Sequence, residues 1–410
     1  MNAINVLNNG EIVDLNETFL SENDLYEIKP FDQITIDFLD KLSRLLLSDV
    51  KLKYRAEMVA LGFWLRKSNL MALKTENDFL LNSKKYVLSP IGKVFHVCPA
   101  NVDTMFVYSL VVSLLMGNRN ALRISSRMEQ ESINLLFKHI NSLMNQDDFS
   151  LLKKYILIIK YDHNKLMNDW ISNHVNARVI WGGDKTIATF KQSSGNPRLK
   201  DVVFSDRISI SVLNCSAINN YSIEQFNNFI NRFYNDSYTF DQMGCSSPQT
   251  VIFIGEENEF DQCIKKIISS LTDLAQKKTA LDLNSMASLK LNRMVQDSMD
   301  EIIENHFGNN LIQFLPLKDN VDFSNLHSCG GGYFYFKNLK SVNGLNFQNA
   351  PKIQTISYEG LNESELNTII EFANGESIDR IVKMGNALNF DYIWDGYNLF
   401  DELSKKVAVI

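Results

Sequence analysis

Between residues 93 and 190 the sequence alternates short β-prone runs with amphipathic stretches, and this alternation limits the fold more than any other feature. "KVFHV" (93–97) reads as a strand and "DTMFVYSLVVSLLMG" (103–117) as a helix stopped at Gly117-Asn118. "NALRIS" (120–125) is a second strand, followed by the helical "MEQESINLLFKHINSLM". "YILIIKY" (155–161), the helical "HNKLMNDWISNH", "ARVIW" (177–181) and the helical "DKTIATF" continue the pattern. Four strand–helix units of this size imply a parallel sheet with helices on both faces, joined by right-handed crossovers. Such a doubly wound α/β domain binds ligands beyond the carboxyl ends of its strands.

The flanking text is read more coarsely. Residues 1–20 look like a polar, weakly structured lead-in, and residues 35–69 carry apolar positions at helical spacing in "FLDKLSRLLLS" and "EMVALGFWLRKSNL". A second α/β unit runs from "IEQFNNFINRFYND" through "DQMGCSSPQT" and "VIFIG", two long helices near 257–275 and 285–305, the glycine-rich "CGGGYFYF" (329–336) and "KIQTISY". The last four residues of the terminal "LFDELSKKVAVI" are β-prone. The expected organisation is N-terminal helices and a dinucleotide-binding domain over 1–220, a cysteine-bearing catalytic domain over 221–375, and a C-terminal return segment with an oligomerisation strand over 376–410.

Charge and cysteine usage remove several classes. A net charge of -7 without a lysine/arginine block argues against a general nucleic-acid binder. The N-terminus carries acidic residues and no apolar h-region, and the most apolar stretch, 107–117, is too short to cross a bilayer. The five cysteines, at 98, 215, 245, 263 and 329, form no C-x-x-C pair, so neither a disulfide framework nor a zinc site fits. A reduced, cytoplasmic protein without a metal is the expectation.

Candidate chemistry gathers at four places. Cys245 follows a glycine and precedes two serines and a proline, just before a strand, where it is either a nucleophile at the mouth of a loop or a small buried hydrophobe. Asn101, after Pro99 in "HVCPANVDT", could aim its amide into the crevice as an oxyanion donor, or simply cap the next helix. Gly182-Gly183, with Asp184 and Lys185 opening a helix, offers backbone N–H groups and a helix dipole to a phosphate, although a tight turn without a ligand gives the same pair. Arg123, Ser125, Ser126 and Arg127 end a strand where cationic and hydroxyl groups suit a 2′-phosphate; a solvated strand end explains them equally. No G-x-G-x-x-G fingerprint occurs. Cys329, beside three glycines, is a rival nucleophile in a setting that suits a closing loop.

Taken in order, "LGFWLRKSNL", "FHVCPANV", "SLLMGNRNALRIS", "VIWGGDKTI", "DVVFSDRISISVL", "DQMGCSSPQ", "IQTISYEG", "IDRIVKMGNAL" and "IWDGYNLFDELSKKVAVI" resemble the bacterial acyl-CoA reductases of the luminescence fatty-acid-reductase type, a branch of the aldehyde dehydrogenase superfamily. The resemblance spans most of the chain. It implies an aldehyde-dehydrogenase-like fold, with Cys245 as the catalytic cysteine and Asn101 as the oxyanion donor. It also puts Arg123 where the superfamily has a ribose-contacting lysine, and residues 182–185 at the pyrophosphate turn. One departure is informative: "VFSDR" aligns with the motif that begins with the superfamily's general-base glutamate and places Val203 there. Oxidising an aldehyde to an acid needs a base to activate water, whereas reducing an acyl thioester does not.

The resemblance therefore implies an NADPH-dependent acyl-CoA reductase that acylates Cys245 and releases an aldehyde. The acyl donor would be coenzyme A, a carrier protein or an acyl-enzyme partner, and the assembly a homodimer or a tetramer. An oxidative aldehyde dehydrogenase, a cysteine acyltransferase or thioesterase, and an inactive subunit of an acyl-transfer complex are the alternatives.

Overall fold

The predicted alternation is realised as a seven-stranded sheet. The computed structural model describes all residues except 8–9, 22–26, 99–104, 125–130, 163, 279–282, 320, 324–325, 327, 346, 348–351, 374–377 and 410. The chain divides into two compact units, Met1–Ser205 with Phe390–Ile410, and Asp206–Asn389.

The first unit contains β1 (Asn2–Asn5), β2 (Glu11–Asp14), β3 (Tyr86–Pro90), β4 (Lys93–Val97), β5 (Arg119–Arg123), β6 (Ile156–Lys160), β7 (Ala177–Trp181) and β8 (Lys200–Phe204). Its large sheet has the order β2-β1-β6-β5-β4-β7-β8, with β4 through β8 parallel. Both faces of β4 and β7 are buried, which explains why each reads as a continuous apolar run. One face packs Phe95, Val97, Ala121, Leu157 and Ile180 against Ile171 and Phe190 of the helices Lys165–His174 and Asp184–Lys191. From β4 the chain steps outward to β5 and β6, then returns to β7 on the other side of β4, where Val97 faces Ile180. The carboxyl ends of β4 and β7 thus flank a topological switch point.

Residues 1–20 are not a weakly structured lead-in. β1 and β2 form an antiparallel hairpin in register from Asn2↔Asp14 to Asn5↔Glu11, and β1 pairs antiparallel with β6. The asparagine-rich composition hides an alternation in which Ala3 and Leu15 are buried while Ile4 and Ile12 face outward.

In the second unit, β9 (Ile208–Asn214), β10 (Pro248–Ile254), β11 (Phe307–Gly308), β12 (Gln313–Pro316), β13 (Tyr333–Leu339), β14 (Ile353–Glu359) and β15 (Arg380–Lys383) form a sheet of order β11-β12-β13-β10-β9-β14-β15, parallel but for β11. Because β9 joins this sheet, the unit begins at Asp206, earlier than the expected boundary after residue 220. Side chains alternate between two cores. Val251, Phe253, Phe334 and Phe336 meet the helices Ile223–Tyr238 and Glu257–Lys278, whereas Ile210, Ile252, Tyr333 and Tyr335 lie on the face that takes Met294 and Ile369. The first of these helices starts at a capping box between Ser222 and Gln225.

The chain then returns to the first unit through the short strands β16 (Ile393–Trp394) and β17 (Tyr397–Asn398) and ends in β18 (Ser404–Ala408). β18 pairs antiparallel with β3, Val407 opposite Val87, in a two-stranded ribbon of the same chain. Among the described residues no helix is long and apolar enough to cross a membrane.

Candidate functional site

Cys245 lies three residues before β10, at the amino end of a parallel strand rather than beyond a carboxyl end. Its neighbours Gly244, Ser246 and Ser247 are buried, while Cys245 itself is only half-buried. The loop is fastened at the amino ends of four strands. Ser209 of β9 donates its hydroxyl to the Cys245 carbonyl at 2.7 Å, and Ser246 donates to Gln354 Oε1 of β14 at 3.1 Å. The Gln242 side chain donates to Pro248 O at 2.9 Å and to Tyr333 O at 3.1 Å, and accepts from Gly332 N and Tyr333 N at 2.9 and 3.0 Å. Just ahead of Cys245, Asp241 and Gln242 have φ of 52° and 64°, left-handed values that non-glycine residues seldom adopt.

The glycine-rich segment is a packed turn, not a closing loop. Gly331 N donates to Asp241 O at 2.8 Å, so the turn lies directly against the cysteine loop. A Cβ at Gly332, whose φ is 88°, would stand 2.1 Å from the Tyr238 hydroxyl and 2.5 Å from Leu311 O, so only glycine fits. The strand behind it is held from the helix Leu283–Met299, whose buried Asp297 accepts from the Tyr333 and Tyr335 hydroxyls at 2.8 and 2.7 Å. Lys290, two turns earlier in the same helix, is buried and donates to the carbonyls of Asn310 and Leu311; burial brings its ammonium down to about 8.

The other cysteines are less suited to nucleophilic work. Burial pushes the Cys329 thiol up to about 11 against the opposing charge of Lys290, which leaves little thiolate at neutral pH. Cys98, Cys215 and Cys263 are buried, the last packed in the core of the second unit beside Cys215. His96 is held between Ser109 and Asn120, and burial lowers its imidazole to about 4, so it is a neutral structural residue. Among the described residues no three His, Cys, Asp or Glu side chains group as metal ligands would.

In the first unit, the described members of the predicted cofactor set lie at the carboxyl ends of two strands, Arg123 at β5 and Gly182–Lys185 just after β7. Gly183 is the N-cap of the helix Asp184–Lys191, makes no side-chain capping bond, and has nothing within 4 Å of where a Cβ would be. Asp184 and Lys185 in the first turn are exposed. Arg123, at the carboxyl end of β5, is half-buried with its guanidinium 4.8 Å from the Tyr161 ring centroid, and its buried Nε lacks a hydrogen-bond partner. Val203 on β8 is partly buried against the same core and pairs with Ile180, so an aliphatic side chain stands there. Asn101, Ser125, Ser126 and Arg127 lie outside the described residues. The sequence reading missed Gln242, Ser209 and Gln354. Its only hint was a glutamine three residues before the cysteine, which has no meaning until Tyr333 is brought beside it.

Comparison with solved structures finds aldehyde dehydrogenases. An NAD-dependent aldehyde dehydrogenase from Sinorhizobium meliloti aligns at a TM-score of 0.65 and 10% identity, covering 94% of this chain and 82% of that one. Aldehyde dehydrogenase 21 from Physcomitrella patens, in complex with the product succinate, gives 0.62 and 9%, covering 94% and 86%. The NAD+ complex of an aldehyde dehydrogenase from Bacillus cereus gives 0.60 and 12%, covering 96% and 86%. At these identities the likeness establishes an aldehyde-dehydrogenase-like fold. No curated protein matches the chain significantly. The family model described as "Acyl-CoA reductase (LuxC)" matches residues 66–405, most of the chain, and the chain therefore belongs to the LuxC acyl-CoA reductase family.

Proposed function

We propose that this chain reduces a fatty acyl thioester to an aldehyde with NADPH, using Cys245 as nucleophile. The observation that carries the reading is the cysteine loop: its flanks are buried and hydrogen-bonded to four strands, while the cysteine remains half-buried in a rigid frame. The Cys245 thiolate attacks the thioester carbonyl and forms a new acyl–sulfur bond as the carrier thiol leaves. A bound dihydronicotinamide would supply a hydride to the acyl carbon. The Asn101 amide holds the oxyanion of the thiohemiacetal on Cys245, whose collapse breaks the carbon–sulfur bond, releases the aldehyde and returns the thiolate.

The switch-point residues suit a phosphorylated dinucleotide. The open space over Gly183 and the helix start behind it fit a pyrophosphate, and the orphaned Nε of Arg123 fits an anionic oxygen nearby, with Ser125, Ser126 and Arg127 completing a 2′-phosphate contact. Asp184 in the first turn works against an anion, and Lys185 beside it offsets that charge. Two of the structural neighbours are named for NAD, so the preference for NADPH rests on the residues after β5. Val203 in place of a carboxylate spares the acyl-enzyme from hydrolysis and separates this reading from an oxidative dehydrogenase.

The test incubates the protein with a panel of acyl-CoAs and either NADPH or NADH, following nucleotide oxidation and aldehyde together. Aldehyde formed with NADPH in preference to NADH supports the reading, as does loss of the acylated species on intact mass in Cys245→Ser. Release of free acid instead, or an acyl label on Cys329, overturns it. The acyl donor in the cell is coenzyme A, a carrier protein or an acyl-enzyme partner, and the same assay run with each ranks them.

A further inference from the structure

Gln242 stands apart from its surroundings. Two consecutive non-glycine residues with positive φ are a costly conformation, and such strain persists only where neighbouring contacts over-determine it. Here the contacts come from the strained residue itself. Gln242 is 1% exposed, and its carboxamide uses both donor hydrogens and its acceptor oxygen, giving four hydrogen bonds to Pro248, Gly332 and Tyr333. The first lies three residues after Cys245, and the other two are in the glycine turn and the strand it opens. The Asp241 carbonyl reinforces the join by accepting from Gly331.

We propose that Gln242 is a positioning residue for Cys245, fixing the left-handed turn that sets where the thiol stands. The inference rests on Cys245 being the nucleophile. Both carboxamide ends matter: the oxygen gathers the Gly332 and Tyr333 amides, and the nitrogen clamps the Pro248 and Tyr333 carbonyls. Removing the clamp lets residues 241–242 relax toward ordinary backbone angles and moves the thiol relative to an incoming carbonyl. A displacement of about 1 Å at a reacting group costs roughly 100-fold in rate.

The test compares wild type, Gln242→Leu, which keeps the shape and loses all four bonds, and Gln242→Glu, which keeps the acceptor oxygen. Cys245 acylation by dodecanoyl-CoA without reductant is followed by intact mass, with Cys245→Ser as control. Separately, the rate of Cys245 alkylation by iodoacetamide is measured from pH 6 to 10 at a temperature where each variant is folded by circular dichroism. The expected result is a 10- to 100-fold slower acylation in Gln242→Leu with KM for the acyl-CoA within about threefold. Gln242→Glu should lie in between, and the alkylation profile should change in both. Wild-type acylation and alkylation rates in either folded variant overturn the inference; if Gln242→Leu does not fold, Gln242→Glu alone decides. An acyl adduct that persists in Cys245→Ser sinks the nucleophile assignment instead, while the alkylation profile still reports on Gln242.

Discussion

Asp297→Asn should loosen the helix Leu283–Met299 from the strand that follows the glycine turn. Asp297 is fully buried and its Oδ2 accepts from both the Tyr333 and Tyr335 hydroxyls, at 2.8 and 2.7 Å. Arg293 Nε is 2.9 Å from Oδ1 but directs its N–H to the Tyr335 hydroxyl at 3.1 Å, so Oδ1 has no hydrogen bond to lose in the substitution. The carboxylate's charge also holds the proton on both phenols, which burial already pushes well above the ordinary tyrosine range. A hydrogen bond to a charged acceptor contributes about 1.5–3 kcal/mol, and asparagine can keep an accepting oxygen for one phenol while turning the other to accept from its amide. The loss is therefore one charge-assisted bond and the weakening of a second, about 2–4 kcal/mol. For a unit of this size that lowers Tm by about 2–4 °C per kcal/mol. Urea unfolding followed by circular dichroism should show a lower midpoint at unchanged slope, and Tyr333→Phe and Tyr335→Phe should each cost less than Asp297→Asn, without adding up. If Asp297→Asn unfolds within about 0.5 kcal/mol of wild type, the range of a neutral surface change, the buried triad contributes nothing.

Three further outcomes are expected. Asp236 is buried and accepts from Gly385 N and Ala387 N, yet desolvation pushes its carboxyl up to about 7 despite those bonds and the charges of Arg380 and Arg232. Its folded pKa is raised, so its contribution is fully present below about pH 4 and is lost as pH rises to about 7; the stability difference between wild type and Asp236→Asn, measured by denaturation from pH 4 to 8, should fall across that window and be flat beyond it. Asn101→Ala should lower kcat about 100- to 1,000-fold with a small change in KM, and near-normal turnover would reduce Asn101 to a helix cap. We propose that the β3–β18 ribbon also helps hold a homodimer or tetramer, because its exposed Val87, Val407 and Val409 present an apolar strand surface; deleting residues 405–410 should lower the mass by light scattering, and an unchanged oligomer would exclude the tail.

Local periodicity was enough to determine the central parallel strands of the first sheet. The runs 93–97 and 177–181 became β4 and β7 residue for residue, because strands buried on both faces leave an unbroken apolar signature. The strands Asn2–Asn5 and Glu11–Asp14 were illegible for the opposite reason: one exposed face and a polar, asparagine-rich sequence dilute their alternation until β6 supplies the partner. Cys245 was visible as a residue type in a loop, and the ordered motifs identified its family. What held the cysteine was not visible. Tyr333 lies 91 residues from Gln242 and Gln354 lies 108 from Ser246, and only strand order in a parallel sheet brings their amino ends together. The same holds for the switch point, which exists because β7 returns to the far side of β4. The three glycines after Cys329 read as freedom in the sequence; in the folded chain the positive φ of Gly330 and Gly332 and their close approach to Asp241 O and the Tyr238 hydroxyl leave no room for a Cβ. A sequence records which backbone conformations each residue allows, while the packing partners that choose among them come from distant segments and appear only once the sheets are formed.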